Sequence, residues 1–355
     1  MLSDFDHQLT PLEASRHLPE TGFPLVLVAR NEGLRLPFLL TYYRQKGVSR
    51  FYVVDDHSTD GSRESLLAQP DCAVFSPLTR YAEADCGLLW QKALLDAYCR
   101  DQWTLVVDAD ELFIYPHDEQ LPLAQLCAHL DRAGKTAMAA FLLDMYPEGP
   151  LSQAHAAPGQ PFWEVCPFFD DDYRFVNRFS AYLPFGAKAQ PSFEVIGGPR
   201  QRLFYPNQHS TGLGVRLASR LVWRAAKLAQ RCGLPAAVDR LHPAPALHKA
   251  PLVKWNGKLG YASAHTVVGA RMAEERGALL HFKFFADFHT KAVEEARRGE
   301  HFMGGQEYKR YLGALQKNPE IAAMNGASRR YRSSDDVLAA GLMRSSSALD
   351  AAVAK

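Results

Sequence analysis

Two aspartates, Asp108 and Asp110, stand two residues apart just beyond an apolar stretch at 103–107, and Glu111 follows directly. In extended backbone, residues two apart point to the same side. Carboxylates held that close repel unless something positive lies between them. A divalent, oxygen-preferring cation such as Mg²⁺ or Mn²⁺ meets that need, above all one that keeps positions open for phosphate oxygens. The plain alternative is a solvated acidic turn capping the next element. Two more polar groups follow apolar stretches in the same way: Arg30, Asn31 and Glu32 after 24–29, and Asp55 and Asp56 after 51–54. A carboxylate ending a second strand can accept hydrogen bonds from ribose hydroxyls or a base imide. Asp60 differs, because Ser58, Thr59, Asp60, Gly61 and Ser62 read as helix-capping chemistry.

These groups need strands to carry them. Strands are expected at 24–29, 51–54, 72–75 and 103–107, with helices at 34–46, 60–68 and 84–100 between them. Apolar strands separated by helices imply right-handed crossovers and a mainly parallel sheet. Ligands of such sheets bind outside the carboxyl ends of the strands, near the point where strand order turns. Three strand ends would then place three polar clusters on one rim. Farther on, strands are expected at 135–144, 202–205 and 250–255. Residues 147–162 read as a loop, and the chain turns helical from 285, with Glu294, Glu295, Arg297 and Arg298 exposed.

Composition sets the limits. The 355 residues carry 40 Lys plus Arg against 39 Asp plus Glu, a formal charge of +1, which argues against a nucleic-acid partner held by its phosphate backbone. Apolar residues make up 47% and charged residues 22%, the balance of a globular chain rather than a disordered or fibrous one. The first twenty residues lack a basic and an apolar region, and the longest apolar run, 137–143, falls short of the ~20 residues that span a bilayer. Cys72, Cys86, Cys99, Cys127, Cys166 and Cys232 are scattered without a CxxC pair. The expectation is a cytoplasmic protein with reduced thiols.

The three clusters, with the residues around them, resemble the family 2-type glycosyltransferases of the GT-A fold, and within them the subgroup with an Arg-Asn-Glu first loop and an Asp-Ala-Asp-Glu metal motif. The match covers about 22–120 well and the remainder loosely. It implies an α/β fold with a Rossmann-like mixed sheet flanked by helices: a lead-in at 1–22, a GT-A domain at 23–284 (nucleotide-binding half 23–120, acceptor half 121–284) and a helical extension at 285–355. It implies a nucleotide-diphosphate sugar as donor and Mn²⁺ or Mg²⁺ as cofactor. Arg30, Asn31, Glu32, Asp55, Asp56, Gln91 and Lys92 would hold the nucleotide, and Asp108 and Asp110 the metal, Asp110 more directly. A late His ligand is common in that fold; His265 is preferred, with His281 second. Many family 2 enzymes also carry a late Glu-Asp pair that supplies the base, which this chain lacks. Glu194, followed by Gly197 and Gly198, and Asp171 within Asp170, Asp171 and Asp172 are the substitutes.

Lys249 and Lys254, flanking the apolar residues 251–253, could neutralise a diphosphate leaving group. Arg216, Arg220, Arg224, Lys227 and Arg231 recur at helical spacing beside leucines, as in a basic amphipathic helix able to touch anionic lipid or an acidic glycan. The expected activity is metal-dependent sugar transfer to a glycan, lipid-linked or other hydroxyl acceptor, in the cytoplasm or peripherally at the inner membrane face. Two alternatives stand beside it. One is a catalytically silent nucleotide-sugar or glycan-binding domain. The other is a phosphatase of the haloacid-dehalogenase type, which places a Thr where this chain has Leu112.

Overall fold

A computed structural model of the chain describes residues 8–12, 17–178, 189–206 and 244–354. The basic helix expected at 216–231 lies outside those residues. The fold is mixed α/β, built on a nine-stranded sheet flanked by helices. Among the described residues no helix is long and apolar enough to cross a membrane.

After a short strand β1 (Leu9–Pro11), the chain alternates as its apolar pattern requires. The elements are β2 (Phe23–Ala29), α1 (Leu36–Gln45), β3 (Val48–Asp55), α2 (Ser62–Leu67), β4 (Cys72–Pro77), α3 (Leu88–Tyr98) and β5 (Trp103–Val106). β2, β3, β4 and β5 pair in parallel in the order β4-β3-β2-β5. Both faces of β3 are buried: Phe51 and Val53 enter one core, Tyr52 and Val54 the other. That is why these strands read as unbroken apolar runs. Each such side chain, fully removed from water, contributes about 1.5–3 kcal/mol. On α1, Leu36, Leu39, Leu40 and Tyr43 form the buried stripe.

The second half is β6 (Glu111–Ile114), α4 (Leu123–Arg132), β7 (Ala137–Asp144), α5 (Phe162–Val165), β8 (Phe168–Asp170), β9 (Arg174–Asn177), β10 (Phe193–Ile196), α6 (Gly198–Phe204), β11 (His248–Lys254), β12 (Gly260–Ser263), β13 (Thr266–Val268) and β14 (Met272–His281). There follow α7 (Phe288–Arg298), α8 (Phe302–Lys317), β15 (Ser328–Arg330), α9 (Ser334–Ala339) and α10 (Ser347–Val353). Beyond β5 the sheet continues β11-β7-β14-β6, in which only β7 and β14 are parallel.

Three expectations change. The stretch 202–205 is helical, in α6, not a strand. Pro199 suits a first helical turn, and Gly198 at φ +78° packs so closely on the Tyr173 ring that a Cβ would overlap it. Phe204 then buries against Phe284, Phe288 and Tyr311. The lead-in is not merely a lead-in, since β1 pairs antiparallel with β4 at the sheet edge. Nor is 285–354 wholly helical: β15 pairs with β8.

Candidate active site

The sheet topology gathers the polar groups. Ala29 lies opposite Asp55 across β2 and β3, and Val26 opposite Val106 across β2 and β5, so these carboxyl ends share one rim. Chain order turns at β2, the usual place for a ligand. β11 runs antiparallel to β5 and brings its amino end, His248 and Lys249, to the same rim. β7 and β14 then deliver their carboxyl ends, Asp144 and His281, which lie side by side. β6, antiparallel to β14, starts there with Glu111 opposite His281. Residues 108–110 join β5 to β6 and so cross the ends of the three strands between them.

A cation already sits against this acidic turn. Lys249, 3% exposed, places Nζ 2.9 Å from Asp108 Oδ2 and 2.9 and 2.7 Å from the two Glu111 oxygens. The Asp108 amide donates to Glu111 Oε2 at 2.8 Å. Crowding by the cleft works against charge on Asp108, yet Lys249 outweighs it and holds the carboxyl below its ordinary range. Burial and the Asp108 charge push Glu111 up to about 7, against the pull of Lys249. The proximity of Asp108 and Glu111 keeps Lys249 charged despite burial.

Asp110 faces a different partner. Its Oδ2 is 3.3 Å from His281 Nε2, while His281 Nδ1 is 2.7 Å from Asp144 Oδ1. Arg200, from α6, meets both Asp144 oxygens at 2.7 and 3.2 Å. Burial opposes charge on Asp110, but His281, with Lys283 and Arg35 farther off, holds it well below the usual carboxylate range. Burial also opposes charge on His281, yet Asp110 and Asp144 raise it above an ordinary histidine despite Arg200. His265 is held otherwise: its Nδ1 lies 3.1 Å from the His248 carbonyl, which can only accept, so Nδ1 carries the proton. Burial and Lys249 push His265 down to about 4. Of the two late histidines, the contact with Asp110 belongs to His281.

Among the described residues no three His, Cys, Asp or Glu side chains are grouped to hold a metal ion. The donor set that fits one is Asp110 with His281 Nε2, the remaining positions falling to phosphate oxygens and water, as small divalent cations accept. Asp108 meets Lys249 through Oδ2, and its side chain is half exposed.

The residues expected to hold a nucleotide line the adjoining rim, but α7 engages them. Asn31 accepts from the Thr59 amide at 2.8 Å and donates to Glu294 at 3.0 Å. Arg30 donates to the Asp56 carbonyl at 2.6 Å and lies 3.6 Å from Glu294. Glu32 pairs with Arg35 and Lys291. Asp56 pairs with Arg298, and Asp55, wholly buried, with Arg63 at 2.6 Å. Arg35, 1% exposed, grips Asp287 through two bonds of 2.7 and 2.9 Å. Arg298 and Glu294 are thus partners of the rim rather than parts of an exposed face.

Other expected residues stand apart. Gln91 is buried on α3, and Lys92 there pairs with Asp96 at 2.8 Å. Lys254 lies opposite Trp103, at the start of β5, so it occupies the far end of the sheet, where it meets Asp131. Asp171 is tied to Arg329 at 2.7 Å and to the Ala327 carbonyl. Glu194 sits on the β9–β10 hairpin opposite Val176 and acts electrostatically on Arg178. Asp144, Arg200 and Lys291 escaped sequence reading. For Asp144 a signal existed, since it ends the apolar run 137–143 as Asp108 ends 103–107.

No family model and no curated protein matches the chain. Among solved structures, the crystal structure of 4-diphosphocytidyl-2C-methyl-D-erythritol synthase is similar over 39% of this chain and 65% of that one, with 19% identity and a TM-score of 0.23. The match therefore spans less than two thirds of that chain. A likeness so slight carries neither fold nor chemistry to this site.

Proposed function

We propose that the chain is a transferase acting on nucleotide-diphosphate sugars, and more narrowly a metal-dependent glycosyltransferase of the GT-A type, similar to family 2 enzymes of the Asp-Ala-Asp-Glu subgroup. The observation that supports it is the pairing of Asp110 with His281 beside Asp108 and Lys249, at the strand ends where chain order turns. A bound Mg²⁺ or Mn²⁺ would neutralise charge on a departing diphosphate. Asp110 and His281 would hold it. Lys249 would stabilise the same developing charge from the opposite side of the turn. An acceptor hydroxyl, on a glycan or lipid-linked sugar, attacks the anomeric carbon as the bond to the diphosphate oxygen breaks. Its proton passes to a base, for which Glu194, on the β9–β10 hairpin, remains the candidate.

A silent nucleotide-sugar-binding domain is the second reading. It is favoured by the closed contact of Lys249 with Asp108 and Glu111, which already satisfies part of the acidic turn. Calorimetric titration of a nucleoside-diphosphate panel, with and without Mn²⁺, tests the first reading on wild type and Asp110→Ala. Metal-dependent binding of one nucleotide, lost in the variant, is the expected result. No binding of any nucleotide would remove both readings. Metal-dependent hydrolysis of the matching nucleotide-sugar then separates enzyme from binder.

A further inference from the structure

We propose that Asp144 and Arg200 are positioning residues for the cation: Asp144 holds His281 through Nδ1 so that Nε2 faces Asp110, and Arg200 fixes Asp144. The inference rests on the metal-dependent reading above.

The proton assignment follows from donors and acceptors. Asp144 is wholly buried and its ionised carboxylate can only accept, so the 2.7 Å contact requires a hydrogen on His281 Nδ1. Nε2, the other nitrogen, is the one turned to Asp110 at 3.3 Å, where a bound cation would take the place of its hydrogen. Asp144 is itself immobilised from three directions. Its backbone is paired in the sheet with His281 across β7 and β14. Its amide donates to the Tyr173 hydroxyl at 3.0 Å. Its two oxygens receive Arg200, 3% exposed, in a forked contact. A salt bridge serving stability alone would need only the arginine. Here the same carboxylate also makes a 2.7 Å contact with an imidazole whose other nitrogen meets the acidic turn. Carboxylates behind a ligating histidine typically govern about 10–100-fold in metal affinity.

The test joins a spectroscopic and a binding readout. In wild type at pH 8.5, nitrogen-15 NMR of the His281 ring is expected to show hydrogen on Nδ1; a ring without hydrogen on Nδ1 overturns the proposal. Mn²⁺ binding followed by electron paramagnetic resonance, with a nucleoside diphosphate present, is expected to weaken about tenfold or more in Asp144→Asn, with near-UV circular dichroism unchanged. If Asp144→Asn does not fold, Arg200→Lys takes its place with a smaller expected loss. Folded variants that bind Mn²⁺ as tightly as wild type overturn this inference alone. A wild type that binds nucleotide but no Mn²⁺ overturns the metal-dependent reading, and this inference with it.

Discussion

Lys249 is the residue on which the acidic turn depends. It is a buried ammonium shared between Asp108 and Glu111, and removing one partner of a buried ionic cluster costs about 3–5 kcal/mol because the others are left uncompensated. Lys249→Met should therefore lose about that much stability in urea at pH 8. The loss should depend on pH, and its direction follows from Glu111. A carboxyl whose folded pKa is raised binds its proton more tightly when folded, so it favours the folded state as pH falls. Glu111 stands at about 7 with Lys249 in place, and removing the ammonium raises it further. The gap between wild type and Lys249→Met should narrow from pH 8 to pH 6, read as the difference in urea midpoints. An equal gap at both pH values would mean that Lys249 acts through packing and not through charge.

At the scale of elements, the turn is held in place by β6, which closes one edge of the sheet. β14 pairs with one side of it, and α1 covers the other through two phenols. Tyr42 donates to the Phe113 carbonyl at 2.7 Å; Tyr43 donates to the Glu111 carbonyl at 2.9 Å and accepts from the Phe113 amide at 3.0 Å. Backbone groups that an edge strand would leave open are thereby satisfied. Such proximity demands a small residue on β14. A Cβ at Gly277 would lie 2.5 Å from the Ile114 carbonyl oxygen and 2.8 Å from the Phe113 ring. Gly277→Ala should cost about 1–3 kcal/mol by overpacking. Gly313→Ala on α8, where nothing lies within 4 Å, should cost nothing or stabilise slightly. Urea unfolding of the two variants side by side decides the matter; equal behaviour would mean that β6 is free to move away from β14.

For the molecule as a whole, what could be read from the sequence was what is local. The strands β2, β3 and β5 are legible because each is an apolar run with a polar end, and that reading also brings Asp108, Asp110, Asp55 and Asp56 to one rim. What could not be read is long-range. Lys249 lies over 130 positions from Asp108, and nothing in its neighbours indicates that β11 enters the sheet beside β5 with its amino end at the rim. The same holds for α7, whose alternating charges look like a solvated face until Arg298 is found on Asp56 and Glu294 on Asn31. This changes the standing of residues 285–354. They are not an appendage, since Asp287 neutralises the buried Arg35 and α8 completes the aromatic cluster of Phe204, Phe288 and Tyr311. A chain ending at 284 would leave the Arg35 guanidinium with Glu32 alone at 3.3 Å and would expose Phe204 and Phe284. It should therefore unfold without a single cooperative transition in urea, whereas the full chain should show one. A truncated chain that keeps a sharp transition and native near-UV circular dichroism would instead make the segment a separable cover over a self-sufficient sheet.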